Sequence, residues 1–260
     1  MKILAQQYLQ SYKPLKTSKA ATPSFGTNNR RYTNAIGDEI GCNTWLFRDD
    51  INWEKLAKFE LKHFKDKPKV NIVQFACSDG SESYTKIMSL MEQATETSAK
   101  KFLPIRAYDI DEEILNAAKS GILNTCMLDR IELQIHTENY EDYFTRVPLF
   151  LNIKNDIELQ SKKVLKAKKI LTDNVRFEKA DMYKKIKEIN DNSDTVLMCR
   201  NILGYFENDK IENFVNLVAK QLKKDSLFVI GEHDVKNSNI KDLLNSKGFQ
   251  EVMTNVYKRA

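Results

Sequence analysis

From Lys67-Pro68 onward the chain alternates short apolar runs with amphipathic stretches. This alternation limits the fold more than any other feature of its 260 residues. Val70–Cys77 has the composition of a strand buried on both faces, and the turn Ser78-Asp79-Gly80-Ser81 leads into a helix predicted from Glu82 to Met91. Ile105–Tyr108 reads as a second strand, ending at Asp109. Asp111 is placed to cap a helix over Glu112–Lys119, which Gly121 closes. Val175–Lys179, Thr195–Cys199 and Leu227–Ile230 continue as the third, fourth and fifth strands. The helix after the fourth strand carries Ile211, Phe214, Val215 and Val218 on one face, with Asn208 or Asp209 as its cap. A helix over Ile240–Ser246 and a last strand over Glu251–Tyr257 complete the series. Strands alternating with helices predict an α/β fold, a parallel sheet with helices on both faces.

Two segments depart from this rhythm. Residues 1–40 are punctuated by Pro14, Pro23 and Gly26, which predicts an irregular arm with one short helix in Ile3–Tyr12. The domain proper is expected over residues 41–260, beginning with a partly helical apolar stripe of Trp45, Trp53, Leu56, Phe59 and Phe64. Residues 122–174 read as a small subdomain inserted between the second and third core strands. In it, Leu149–Ile153 and Ile157–Leu159 are expected to pair as a hairpin, and Thr137 to cap a short helix carrying Tyr140, Tyr143 and Phe144. Lys162, Lys163, Lys166, Lys168 and Lys169 make it basic, either as a solvated helix face or as a docking surface for an acidic partner.

Composition narrows the classes further. An apolar fraction of 42% and a charged fraction of 30% exclude disordered, collagen-like and disulfide-scaffold chains. No apolar run approaches the ~20 residues of a membrane helix, so no membrane insertion is expected. Met1–Leu15 has no apolar core of the secretory kind, which points to the cytoplasm. The net charge of +5 comes from lysines scattered among acids, a solvated surface rather than a nucleic-acid footprint. Cys42, Cys77, Cys126 and Cys199 form no C-x-x-C pair, and His63, His136 and His233 lie far apart, so no metal site is expected.

In an open α/β sheet, ligands bind beyond the carboxyl ends of the strands. That rule selects Ser78–Glu82, Asp109, Asp181 and Arg200–Tyr205. Gly80 permits close backbone approach, but the turn is not the G-x-G-x-x-G of dinucleotide sites. Glu82 complements the dipole of the helix it opens, and its charge would repel a pyrophosphate while welcoming a cation. Asp109 stands where a carboxylate accepts both hydroxyls of a ribose, and Asp181 where one accepts from an adenine amino group. Together these acids describe a pocket for a phosphate-free, positively charged adenosine. S-adenosyl-L-methionine fits that description better than NAD or ATP.

Read in order, "TWLFRD", "FACSDGSESY", "AYDIDEEILNAAKSGI", "VRFEKADM" and "MCRNILGYFENDKIENFVNLVAKQLKKDSLFVIGEHD" resemble the CheR-type chemoreceptor glutamate O-methyltransferases. The resemblance spans about Gly41 to Asp234. It implies a Rossmann-like class I methyltransferase sheet, with the 122–174 insertion standing where that family carries its small β-subdomain. It implies S-adenosyl-L-methionine as cofactor, S-adenosyl-L-homocysteine as product, and a protein substrate bearing glutamate side chains, such as a chemoreceptor. By position, Thr44 and Arg48 match residues bordering the cofactor, and Arg48 also faces the methyl-accepting carboxylate. Glu82 matches the acid that binds the methionine end, and Asp109 the ribose-binding acid. Asp181 and Met182 match the adenine-side pair, Asn201 and Ile202 the pair beneath the methionine, and Tyr205 the aromatic hydroxyl near the transfer point. Arg48 and Tyr205 are therefore the catalytic candidates.

Departures from the family pattern carry expectations too. "SDGSESY" replaces "TGEEPYS", with Ser81 for the first acid and Ser83 for the proline, which predicts a looser cofactor turn or a lower cofactor affinity. The segment before Gly41 is shorter than the family's amino-terminal helical domain. A methyltransferase of the same fold acting on a small molecule or nucleic acid is the rival reading. Asn201-Ile202-Leu203-Gly204-Tyr205 lacks the paired prolines of base-directed enzymes, which weighs against nucleic acid. A non-catalytic S-adenosyl-L-methionine-binding module is the third.

Overall fold

The computed structural model describes residues 30–33, 39–42, 44–125, 127–147, 163–189 and 192–260. The predicted Ile3–Tyr12 helix and the Leu149–Leu159 hairpin lie outside these residues. Two short strands, β1 (Arg30–Thr33) and β2 (Glu39–Cys42), pair antiparallel. Helix α1 (Trp53–His63) follows, its first turn closed by Asn52, whose side chain accepts from the Lys55 N–H at 2.8 Å. Next come β3 (Asn71–Phe75), α2 (Ser81–Gln93), α3 (Glu96–Lys100) and β4 (Ile105–Asp109). Helix α4 (Glu112–Ser120) begins where its pattern predicts and runs one residue past the expected Lys119. Asp111 accepts from the N–H groups of Glu113 and Ile114, and Gly121 closes it in a left-handed conformation.

The chain then leaves the main sheet. Strands β5 (Ile122–Thr125), β6 (Phe144–Val147) and β7 (Lys163–Ala167) form a separate three-stranded antiparallel sheet, with α5 (Met127–His136) between β5 and β6. Lys163 and Lys166 thus belong to a strand, not to a helix face. Thr137 is no cap either: its hydroxyl donates back to the Leu133 carbonyl at 2.6 Å, ending α5. The cap of the short turn at Tyr140–Asp142 is Asn139, and Phe144 already starts β6.

After α6 (Lys169–Thr172) the main sheet resumes with β8 (Val175–Lys179), α7 (Met182–Lys185), β9 (Thr195–Cys199), α8 (Asn208–Gln221) and β10 (Leu227–Val229). Neither Asn208 nor Asp209 caps α8. Glu207 is the last extended residue, and no side chain closes that end. Helices α9 (Glu232–Lys236) and α10 (Ile240–Ser246) lead to a hairpin of β11 (Phe249–Met253) and β12 (Val256–Arg259). The single strand expected over Glu251–Tyr257 is therefore two, because Asn255 takes φ 61° and turns the chain back.

The seven strands lie in the order β11-β12-β10-β9-β3-β4-β8, parallel from β10 to β8, with the β11–β12 hairpin antiparallel at one edge. From β3 the chain winds outward through β4 to β8, then returns to the other side of β3 through β9 and β10. That reversal places a crevice beyond the carboxyl ends of β3 and β9. Alternate residues feed the two faces. Ile72, Val196 and Met198 join one buried cluster with Leu56 and Ile87; Val73, Leu197 and Cys199 join the other with Phe214 and Phe228.

One buried ion pair fixes the layer that carries the crevice. Lys86 of α2 donates to Glu60 of α1, and both side chains are fully buried. Burial pushes the Glu60 carboxyl up and the Lys86 ammonium down, and each partner opposes the other's shift. Lys86→Met alone should cost roughly 3–5 kcal/mol of unfolding free energy in urea, by stranding Glu60. Adding Glu60→Leu should restore most of it, so a double variant no better than the single would contradict this account.

Candidate active site

Nineteen residues border a cleft of about 500 Å³ at the switch between β3 and β9. Thr44, Arg48, Glu82, Asp109, Asp181, Met182, Asn201, Ile202 and Tyr205 are all among them. The carboxyl ends of β3, β4, β8 and β9 deliver most of the lining, and the segment before α1 closes one side with Thr44 and Arg48.

The β3–α2 turn is tight and strained. Ala76 and Ser78 take φ 53° and 51°, and Gly80 takes 82°. Non-glycine residues pay on the order of 1–2 kcal/mol each for that region, so the surroundings must impose it. They do. Asp109 Oδ2 accepts from the Ser78 N–H at 2.8 Å, and Asp79 Oδ1 accepts from the Ser81 N–H at 2.9 Å. A side chain at Gly80 would have its Cβ 2.7 Å from the Phe177 ring. These bonds and the Phe177 ring brace the turn.

Glu82 sits at the cleft floor, 9% exposed. Its Oε2 accepts from Arg200 Nη1 at 2.6 Å and its Oε1 from Gln74 Nε2 at 3.0 Å. Burial pushes its carboxyl above the usual range, and the Arg200 guanidinium opposes that rise. Arg200 itself has no exposed side-chain surface. It bonds Asp50 as well as Glu82, and its guanidinium lies 4.8 Å from the Trp53 ring centroid. Asp50 also accepts from Asn201 Nδ2 at 2.8 Å.

The other acids are occupied too. Asp109 Oδ1 accepts from the Asp111 N–H at 3.0 Å, and burial raises its carboxyl while these backbone donors pull it down. Asp181 caps α7, its Oδ1 accepting from the N–H groups of Tyr183 at 2.7 Å and Lys184 at 3.2 Å. Asn201, at φ 58°, gives its N–H to Asp234 Oδ2 at 2.7 Å and accepts the His233 N–H at 3.0 Å. A Cβ on Gly231 would collide with the Asn201 side chain, so only glycine lets these loops meet. Tyr205 is 51% exposed at the rim and stacks on His233 with ring centroids 4.3 Å apart. Arg48 lies over Trp45, 4.8 Å from its ring centroid, with Nε 3.9 Å from Asp50.

Sequence reasoning gave no role to Asp50, Gln74 or Asp234, and it placed Arg200 in a ligand-binding segment without assigning it one. Asp234, fully buried, accepts from the N–H groups of Asn201, Gly204 and Gly231, and so ties the loops after β9 and β10 together. A usable signal existed for Arg200: an arginine directly after the wholly apolar run Val196–Cys199 has to be buried and therefore paired.

The family described as CheR methyltransferase, SAM binding domain, matches residues 43–251. The chain belongs to the CheR methyltransferase family. It is similar to the chemotaxis protein methyltransferase of Borreliella burgdorferi, at 28% identity over 229 residues, 85% of this chain and 72% of the relative. Chemotaxis protein methyltransferase 2 of Vibrio cholerae is 25% identical over 219 residues, covering 83% and 69%. Among solved structures, a precorrin-6y C5,15-methyltransferase from Geobacter metallireducens aligns over 80% of this chain and 78% of its own. Its identity is 12% and its TM-score 0.41.

This CheR-family protein is an S-adenosylmethionine-dependent methyltransferase, and the cleft suits that cofactor. Three carboxylates line it, and Arg200, a cation in its wall, is already bonded to two acids. A cationic, phosphate-free nucleoside fits such a site, and about 500 Å³ lies within the ~300–1,000 Å³ of small-molecule pockets. Among the described residues no helix is long and apolar enough to cross a membrane, and no His/Cys/Asp/Glu group could hold a metal.

Arg200→Met should lower the unfolding free energy by roughly 3–5 kcal/mol, because Asp50 and Glu82 would stay buried without their cation. Arg200→Lys should recover little, since a point charge cannot serve two carboxylates as a planar fork does. Urea unfolding followed by circular dichroism measures both. A loss below about 1 kcal/mol for Arg200→Met, the scale of exposed pairs, would contradict the assigned pairing.

Proposed function

We propose that this cleft methylates a carboxylate oxygen of a protein glutamate. One observation carries the reading. Among the described residues the lining contains no histidine, and its acids already accept donors from the fold, so these residues offer no evident general base. An acceptor must then arrive already nucleophilic. A glutamate, with a usual pKa of ~4.3, is ionised at neutral pH and meets that requirement, whereas an amine or hydroxyl would need deprotonation.

When bound, S-adenosyl-L-methionine supplies a methyl group on a sulfonium, an electrophile with a neutral leaving group. Glu82 would hold its ammonium, Asp109 its ribose hydroxyls, and Asp181 with Met182 its adenine. Thr44, Asn201 and Ile202 would border the methionine portion. Arg48 would draw in and orient the acceptor carboxylate through its planar fork, and Tyr205 would donate a hydrogen bond to the same group. Alignment of oxygen, methyl carbon and sulfur would then supply most of the rate gain, as much as ~7–11 kcal/mol in well-oriented systems. Residues 41–260 act as the catalytic domain in this reading, with 122–174 as an insertion. The acceptor is a protein such as a chemoreceptor, in the cytoplasm. The names of the chemotaxis relatives support it.

The test is transfer of labelled methyl to cytoplasmic fragments of chemoreceptors. Label should enter protein and be released by mild base, as an ester requires; base-stable label or none would sink the proposal. Arg48→Ala should lower kcat/KM roughly 10²-fold, on the scale of losing one preorganised donor. Tyr205→Phe should lower it about tenfold, the worth of one hydrogen bond to a charged group.

Ionised Glu82 is the form that receives an ammonium, and burial pushes its carboxyl above the usual glutamate range. Cofactor affinity should therefore fall as pH drops through that raised value, at a higher pH than an ordinary glutamate would give. Calorimetric titration across pH 5–8 measures this. Glu82→Gln should flatten the step, and an unchanged step would reassign it.

A further inference from the structure

Gln74 poses a problem that the fold alone does not answer. It lies in β3, among the apolar residues Ile72, Val73 and Phe75, and is 1% exposed. A buried amide costs free energy unless it is fully bonded, and an apolar side chain would pack there without that demand. Its two ends are both used. Nε2 donates to Glu82 Oε1 at 3.0 Å, and Oε1 accepts from the hydroxyl of fully buried Ser83 at 2.5 Å.

The directions of these bonds follow from the charge on Glu82. Arg200 bonds the other carboxylate oxygen and favours its ionised form. An ionised carboxylate only accepts, so Gln74 must offer it the amide nitrogen. The amide carbonyl then faces Ser83, whose hydroxyl has to donate. Ser83 thus fixes the orientation of Gln74, and Gln74 with Arg200 fixes both oxygens of Glu82. Each oxygen keeps a second acceptor position. Ser83 is also where the turn departs from the proline of the family pattern, and a proline could supply no hydroxyl.

We propose that Gln74 and Ser83 are positioning residues that aim Glu82 at the α-ammonium of the cofactor. This rests on the reading that Glu82 receives that ammonium. Their effect is confined to ligands that carry the amino-acid end.

Calorimetry with two probes tests it: S-adenosylhomocysteine, which has the amino-acid end, and 5′-methylthioadenosine, which lacks it. Gln74→Met, of similar length, and Ser83→Ala, which removes one buried oxygen, should each weaken S-adenosylhomocysteine roughly tenfold, the equivalent of ~1.4 kcal/mol. Both variants should bind 5′-methylthioadenosine within about twofold of the unaltered protein, well inside that ~1.4 kcal/mol step. Parallel losses for the two probes would reduce the pair to a structural role and overturn the proposal. So would undiminished S-adenosylhomocysteine binding in both variants while Glu82→Gln loses it selectively. A Glu82→Gln protein that keeps the original ratio of affinities would instead refute the underlying role of Glu82.

Discussion

Everything near the cleft depends on burying one guanidinium. Arg200 follows a fully buried strand and has no exposed side-chain surface, so its charge needs partners inside the protein. Asp50 comes from the segment before α1, and Glu82 from the first turn of α2. The three residues are 150 and 118 positions apart in the chain. Their attraction brings the front segment, the β3–α2 turn and the end of β9 into register. The stacking of Arg200 on Trp53 anchors the same segment to α1. Removal of Arg200 would leave both acids without their cation in a low-dielectric interior, so the guanidinium is the member the arrangement cannot lose.

A second layer of carboxylates holds the backbone rather than other side chains. Asp79 and Asp109 accept from N–H groups of the β3–α2 turn, and Asp234 from those of the loops after β9 and β10. The positive-φ residues Ala76, Ser78 and Asn201 lie where these carboxylates act. Strain of this kind persists only when neighbours over-determine the conformation, and acids buried beside backbone donors do that. The outcome is a rigid rim at the one place where the sheet reverses direction.

Features with a local cause were legible in the sequence. Asp111 and Gly121 bound their helix because capping and a left-handed terminus act within a few residues. The strands announced themselves as apolar runs, and the carboxyl-end rule brought Glu82, Asp109, Asp181 and Asn201 to a single cleft. What escaped was long-range or a matter of one dihedral. Asp50 looks like any surface acid until Arg200 is seen to need it. Gln74 looks like an interruption of an apolar strand. Asn255 turns one expected strand into two through a single left-handed residue, and Thr137 spends its hydroxyl backward on Leu133 instead of forward as a cap. None of these has a signature in spacing, because the deciding partner is chosen by packing.

The bonding of the acids also bears on what the cleft can accept. Asp109 accepts from backbone N–H groups at both oxygens, Asp181 accepts both of its bonds through Oδ1, and Glu82 accepts one bond at each oxygen. A carboxylate has about four lone-pair positions, so each of these acids retains acceptor capacity after the fold has used its share. Arg200, the cation beside Glu82, is already committed to Asp50 and Glu82. A ligand must therefore bring donors. Hydroxyl pairs, amino groups and an ammonium all qualify, whereas a phosphate placed beside these three acids would meet only acceptors. Discrimination against nucleotides thus needs no opposing clash. It follows from leaving three carboxylates with spare acceptor capacity around one nucleoside-sized space.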